Sequence, residues 1–282
     1  MPNLWACWIL FNEVQFAQRS FRNTLPWVDK AIIIDGPFKT FPHETNRSTD
    51  GTLDLARKAC EEFHKDAIII EGKEYECEVD KRNVYLEKVP VGDWMLLVDA
   101  DEQPSFTEEA YARLRQGMND PTLTGFTIKL LAHATKTVPI VYDWGNPRIF
   151  RNVGGLKYKY NHYSIFDSQG RMFYFEPYRF EKLNIMFVHW TEEREATSIF
   201  QKMQYHKQKR REQSSGFDTF FCATCKESFK LPQGTLIHCP KCEGENVGAD
   251  VEVRGIWQGY DKPAIPMEKF LKDHAQAAQR NA

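Results

Sequence analysis

The chain has no apolar run long enough to cross a membrane. The longest early one, Leu4 to Phe11, is too short, and no basic stretch or small-residue cleavage site accompanies it, so a soluble, non-exported, cytoplasmic protein is expected. It also lacks charge of either sign in excess: 37 Lys and Arg against 39 Asp and Glu leave a net charge of -2, which supplies no general drive towards nucleic acid or an anionic membrane. No glycine-rich phosphate loop follows the first apolar run, where Phe11-Asn12-Glu13-Val14 stands instead, and this tells against nucleotidyltransferases that grip phosphates there. Cysteine is sparse outside one segment. Cys7, Cys60 and Cys77 are scattered through apolar or helical surroundings, where thiols behave as small buried hydrophobes in a reducing compartment.

What is present is alternation. With 282 residues, 42% hydrophobic and 13% aromatic, the chain can build one sizeable α/β domain with a small appendage. Apolar runs at Leu4 to Phe11, Ala31 to Ile34, Ala67 to Ile70 and Trp94 to Val98 read as buried strands. Helical stretches separate them: one through Phe16, Phe21 and Leu25 that Pro26 ends, one from Leu53 to Phe63 entered through Ser48-Thr49-Asp50-Gly51-Thr52, and one from Val79 to Lys88. Such βαβ units imply parallel pairing and right-handed crossovers, with ligands bound outside the carboxyl ends of the strands.

Acidic residues collect on that rim. Glu13 follows the first strand, Asp35 the second, and Asp99 and Asp101 the fourth. Side chains at i and i+2 of a strand point the same way, so the last two are expected to converge where a divalent cation and a diphosphate would sit. The plainer reading of Asp-x-Asp is a polar strand end turning into a helix over Pro104 to Arg115. Asp50 reads as a loop cap.

Taken in order, Asn12-Glu13, Ile32-Ile33-Ile34-Asp35, Ser48-Thr49-Asp50-Gly51-Thr52, Lys81-Arg82-Asn83 and Val98-Asp99-Ala100-Asp101-Glu102 resemble the nucleotide-sugar half of the GT-A glycosyltransferases, in particular family 2. The resemblance implies a Rossmann-like, mostly parallel α/β sheet flanked by helices. It also implies that Asp35 contacts the base or ribose, that Arg82 lies near the donor, and that Asp99 and Asp101 bind Mn²⁺ or Mg²⁺ bridging the donor diphosphate. The sequence departs from the family's pattern at Gly36 to Arg47, which separates Asp35 from the Ser-Thr-Asp segment that relatives join almost directly to it, and this leaves the nucleotide open.

Beyond Thr124 come short β-type runs, Gly125 to Leu131 and Val138 to Val141, then Asn146-Pro147-Arg148-Ile149-Phe150-Arg151, which looks like an Arg-Leu-Phe element of the same family. The segment Gly154 to Tyr163 resembles one that in relatives ends in a His-Glu pair with the carboxylate as general base. Here His162 is followed by Tyr163, so the base falls to His162 or Asp167. A strand over Leu183 to Trp190 carries His189, which resembles a late histidine completing the metal or diphosphate site. Thr191 to Gln213 reads as a helix with acidic residues in its first turn and basic ones in its last, the order the helix dipole favours.

The remaining four cysteines, Cys222, Cys225, Cys239 and Cys242, form two C-x2-C knuckles separated by thirteen residues. Four thiolates at this spacing close a tetrahedral, structural Zn²⁺ site, and a zinc ribbon of this size takes most of its folding energy from the metal. Scaffold, acceptor-recognition module and contact for a protein partner are all open to it, and its few lysines leave only a weak footprint for nucleic acid. The expected organisation is a GT-A domain over 1–215, a zinc ribbon over 216–248, and a strand (Asp250 to Ile256), linker and helix (Met267 to Gln279) over 249–282. The expected function is metal-assisted transfer of a sugar from a nucleoside-diphosphate donor, UDP by preference, to the hydroxyl of a glycan, lipid-linked or protein acceptor, with inversion. The alternative is a zinc-ribbon adaptor that binds protein or nucleic acid beside an inactive GT-A domain.

Overall fold

The computed structural model describes residues 1–39, 41, 43–132, 140–159, 164–190, 217–222, 227–232 and 247–249, with backbone alone at 132, at 140–146 and in the last three segments. These residues fall into two compact units, the first holding those up to Trp190 and the second the three short segments beyond.

The first unit is built on an eight-stranded sheet in the order β3-β2-β1-β4-β7-β6-β10-β5. Strands β1 (Leu4–Leu10), β2 (Lys30–Asp35), β3 (Asp66–Ile70) and β4 (Trp94–Leu97) are mutually parallel, and each reaches the next through α1 (Val14–Thr24), α2 (Thr52–Glu62) and α3 (Glu78–Lys88). Their apolar runs are continuous because both faces are covered. In β1, Leu4, Ala6, Trp8 and Leu10 enter one core with Phe21 of α1 and Ala56 of α2, while Trp5 and Cys7 enter the other with Tyr85 and Leu86 of α3. All five residues from Trp94 to Val98 are buried. The α/β sheet with flanking helices is the class the sequence implied.

The rest of the sheet is mixed. β5 (Glu102–Ser105) precedes α4 (Glu108–Met118), and then come β6 (Gly125–Ala132), β7 (Ile140–Arg151), a small β8/β9 pair (Lys157–Tyr158 and Ile165–Phe166) and β10 (Phe180–His189). β7 runs antiparallel to both β4 and β6, β10 is parallel to β6, and β5 closes the edge antiparallel to β10. One local expectation changes here. Pro104 does not open a helix but lies in β5, where an edge position removes the cost of its missing N–H. The Asn146–Arg151 element is strand throughout, with Pro147 tolerated beside register shifts in the β6/β7 ladder.

The second unit contributes an antiparallel sheet in the order β12-β11-β13, from β11 (Phe217–Cys222), β12 (Glu227–Pro232) and β13 (Val247–Ala249). Cys222 ends β11 opposite Glu227, the first residue of β12. The expected helix over Thr191 to Gln213, strand over Asp250 to Ile256 and terminal helix over Met267 to Gln279 lie outside the described residues, as do Cys225, Cys239 and Cys242. No described helix is long and apolar enough to cross a membrane.

One glycine fixes where β2 ends. Gly36 has φ +140°, and a Cβ there would lie 2.0 Å from the Lys73 carbonyl oxygen. Backbone cannot give way as a flexible side chain can, so Gly36→Ala is expected to destabilise the fold by about 2–4 kcal/mol in urea unfolding, the range of strained or overpacked positions.

Candidate functional site

The carboxyl ends of β1, β2 and β4 lie side by side, with Leu10 level with Asp35 and the Val98 N–H donating to Cys7 O. The loop after β1 is shaped by the polar segment that precedes α2. Asn12, in the left-handed region at φ 51°, donates its N–H to Ser48 Oγ (2.8 Å) and accepts from Thr49 N through Oδ1 (2.9 Å). Glu13 N donates to Thr52 Oγ1 (2.8 Å), and Val14 N donates to Asp50 Oδ2 (2.9 Å). The Ser-Thr-Asp-Gly-Thr segment therefore clamps the β1–α1 loop, and α2 itself starts from Gly51 without a side-chain cap. Glu13 stands at the start of α1, its carbonyl accepting from Phe16 N and Ala17 N. Asp50 caps its own turn, accepting from Thr52 N and Oγ1.

Asp35 is fully buried, and Ser48 takes both of its oxygens, N–H to Oδ2 at 2.8 Å and Oγ to Oδ1 at 2.5 Å. These bonds hold the Ser48 loop, and through it Asn12, against the end of β2. Burial, only partly offset by the Ser48 bonds, raises the pKa of Asp35.

Beneath the same rim lies a lysine to which the sequence motif assigns no role. Lys81 is 1% exposed and donates to Leu10 O (2.6 Å) and Gly36 O (2.5 Å), tying the ends of β1 and β2 together. Burial pulls its pKa down to about 7 against the opposing pull of Asp35 and Glu13. The available signal was its place on α3, one turn before the buried Tyr85.

The Asp-x-Asp element is not a strand end with two parallel carboxylates. β4 stops at Leu97, and Asp99 to Glu102 is a turn closed by Glu102 N donating to Asp99 O (3.0 Å). The two aspartates consequently have different surroundings. Asp99 Oδ1 accepts from Arg82 Nη2 at 2.7 Å, and its Oδ2 lies 3.6 Å from Arg148 Nη2. Burial works against its charge, but these guanidinium groups outweigh it and hold the carboxyl well below the usual carboxylate range. Arg82, 3% exposed, also pairs with Glu78 (2.8 Å), and Arg148 pairs with the buried Glu102, whose own pKa burial raises.

Asp101 is 2% exposed, and its main-chain oxygen accepts from Trp190 N (2.8 Å). The β5/β10 register sets His189 opposite Glu102, which brings His189 Nε2 to 3.4 Å from Asp101 Oδ1. Burial disfavours the charged imidazole, but Asp101, Glu102 and Asp99 together raise its pKa above 6.5.

Oxygen and imidazole donors of this kind suit Mn²⁺, and Mg²⁺ too is held by one or two carboxylates with the remaining positions left to phosphates and water. The Asp101–His189 pair fits that pattern. No cage of three or more His, Cys, Asp or Glu exists among the described residues to enclose an ion without a ligand.

Of the two candidate bases, His162 lies outside the described residues. Asp167 has both of its oxygens engaged. Its Oδ1 accepts from Gln169 N and Arg171 N (both 2.9 Å), and its Oδ2 accepts from Arg171 Nε and Tyr178 OH (both 2.7 Å). Against the effect of burial, these donors hold it well below the usual range, so it braces a turn and accepts protons poorly.

The Arg82–Asp99 pair makes stability depend on pH. Asp99 has a depressed folded-state pKa, so the stability it contributes is full above its unfolded value of about 3.9 and is lost as pH falls through the lower folded value. Arg82→Met is expected to cost about 3 kcal/mol at pH 7, the low end for breaking a buried pair since Asp99 keeps some exposure. In denaturant titrations the gap from wild type should be constant between pH 5 and 7 and narrow below about pH 4.

No protein-family model matches the chain, and no curated protein matches it. Among solved structures it is similar to the mannosyltransferase PcManGT from Pyrobaculum calidifontis in complex with GDP-Man and Mn²⁺, at 17% identity over 45% of this chain and 36% of that one, TM-score 0.36. It is similar to S. aureus TarS 1-349 in complex with UDP-GlcNAc, at 15% identity over 54% of this chain and 46% of that one, TM-score 0.37. A third is glucosyl-3-phosphoglycerate synthase from Mycobacterium tuberculosis in complex with Mn²⁺, UDP and phosphoglyceric acid, at 12% identity over 82% of this chain and 87% of that one, TM-score 0.42. The chain thus spans less than half the length of the first two, and all three are likenesses in outline only.

Proposed function

We propose that this chain is a glycosyltransferase that moves a sugar from a nucleoside-diphosphate donor, UDP by preference, to an acceptor hydroxyl, with a divalent cation at the donor site and inversion at the anomeric carbon. The observation that carries the proposal is the meeting of Asp101 and His189, 3.4 Å apart at the carboxyl rim of a largely parallel sheet. When bound, Mn²⁺ or Mg²⁺ would neutralise charge developing on the leaving diphosphate. Asp101 and His189 would hold the ion. Asp99, fixed by Arg82 and about a quarter exposed, would add a second carboxylate from a set position. Asp35, through Ser48, would keep the loops of the nucleoside pocket in register.

With Asp167 engaged by four donors, the proposal gives the proton-accepting role to His162. The acceptor class, whether glycan, lipid-linked or protein, is left to experiment. The second unit is proposed as a zinc ribbon in which Cys222, Cys225, Cys239 and Cys242 hold one structural Zn²⁺, a reading supported by their spacing.

Calorimetric titration with UDP or GDP should show binding that requires Mn²⁺ and disappears in both Asp101→Ala and His189→Ala. Binding of equal strength in those variants would remove the donor-site reading. Elemental analysis should find about one zinc ion per chain, lost in Cys239→Ser together with the protease resistance of the second unit. A chain free of zinc with the second unit intact would refute the ribbon.

A further inference from the structure

The eight-stranded sheet ends in β3 on one side and β5 on the other, and the sequence treats these two edges differently. β5 is short and carries the buried Glu102 and Pro104, both of which blunt an edge against pairing with another chain. β3 has no such device. Ala67-Ile68-Ile69-Ile70 is free of proline and charge, and its register with β2 runs unbroken from Asp66 to Ile70, without a bulge. None of the β3 residues is buried, whereas Ala31 to Asp35 of the neighbouring β2 all are. Ala67 is exposed and Ile68 is 37% exposed, although Ile69 and Ile70 pack against the two cores. Just outside the strand stand Lys65, which has no ion pair among the described residues, and Glu71, which accepts from Arg57 of α2 at 2.7 Å.

Symmetry limits how such an edge can meet a copy of itself. Opposed residues of an antiparallel pair point to the same face of the sheet. A two-fold axis through the pair stands perpendicular to the sheet and keeps every residue on its own face, so an odd-numbered residue opposes only an odd-numbered one. The register then centres on one of the four apolar residues. Centring on Ala67 sets Lys65 against Ile69 and Asp66 against Ile68. Centring on Ile69 sets Lys65 against Lys73, and centring on Ile70 sets Asp66 against Glu74, both repulsive. Centring on Ile68 is complementary: Ile68 meets its own copy, Ala67 meets Ile69, and Lys65 meets Glu71 at both ends of the ladder. Asp66, then opposite Ile70, keeps Lys30 of β2 at 3.6 Å.

We propose that β3 is a dimerisation edge, which pairs antiparallel with β3 of a second copy of this chain about a two-fold axis at Ile68, with Lys65 and Glu71 facing each other across the interface. One sheet then runs through both copies. The outward amides and carbonyls of the two edges satisfy one another, the exposed isoleucine is covered, and Lys65 gains a carboxylate. Because the paired strands run in opposite directions, the carboxyl rims of the two copies lie at opposite ends of the joint sheet. Neither copy closes the other's rim.

The test is sedimentation equilibrium of the full chain across the micromolar range, on wild type, Lys65→Glu, Glu71→Lys, the double variant Lys65→Glu/Glu71→Lys and Ile68→Asp, with unfolding midpoints to check that each folds. Wild type is expected to dimerise. Either single charge reversal sets like charges opposite each other at both ends of the ladder and should weaken the dimer about tenfold or more, and Ile68→Asp should abolish it. The double reversal restores opposite charges and should recover most of the loss. A wild type that stays monomeric at every concentration overturns the proposal. So does a dimer that the charge reversals and Ile68→Asp leave intact, because its interface is then elsewhere, and so does a double variant no tighter than the single ones.

Discussion

A guanidinium that is 3% exposed must find carboxylates, and much of the site follows from where Arg82 finds them. It reaches from α3 to Glu78 on its own helix and to Asp99 at the end of β4. Arg148 repeats the device from β7, pairing with Glu102 and lying near Asp99. Ser20 of α1, itself accepting from Trp8 Nε1, donates to the Asp99 carbonyl. The turn that carries the two aspartates is therefore anchored by helices and by a neighbouring strand. Such over-determination is what a site needs if a metal and a diphosphate are to be held without reorganisation.

The same logic separates residues that a motif alone would treat alike. Asp35, Asp99, Asp101 and Asp167 are all carboxylates in polar loops, and what each can do depends on which donors it already has. Asp35 and Asp167 have every oxygen occupied by local partners and serve as braces. Asp99 is held by charge. Asp101 faces an imidazole that a distant strand delivers, and that pairing makes a cation site chemically reasonable.

The first half of the fold was legible in the sequence because burial on both sheet faces writes continuous apolar runs. Ala31 to Ile34 was read where Lys30–Asp35 is found, and Val79 to Lys88 where Glu78–Lys88 is found. β5 was not legible: Glu102-Gln103-Pro104-Ser105 has no strand character of its own and is made a strand by pairing with β10. Lys81 escaped for a related reason, since a lysine on a helix reads as solvated until the fold is known. Its two carbonyl partners come from strand ends far away in sequence. The acidic rim was visible from order and topology, but the division of labour along it depends on tertiary hydrogen bonds that no spacing encodes.

The central claim is that Asp101 and His189 together hold a divalent cation at the rim of the sheet. Pulsed electron paramagnetic resonance of Mn²⁺ bound with UDP tests it most directly, because a coordinating imidazole nitrogen leaves a hyperfine coupling. The predicted result is a single nitrogen coupling in the wild-type protein that vanishes in His189→Gln. A Mn²⁺ spectrum without nitrogen coupling, or one unchanged by that substitution, would contradict the claim.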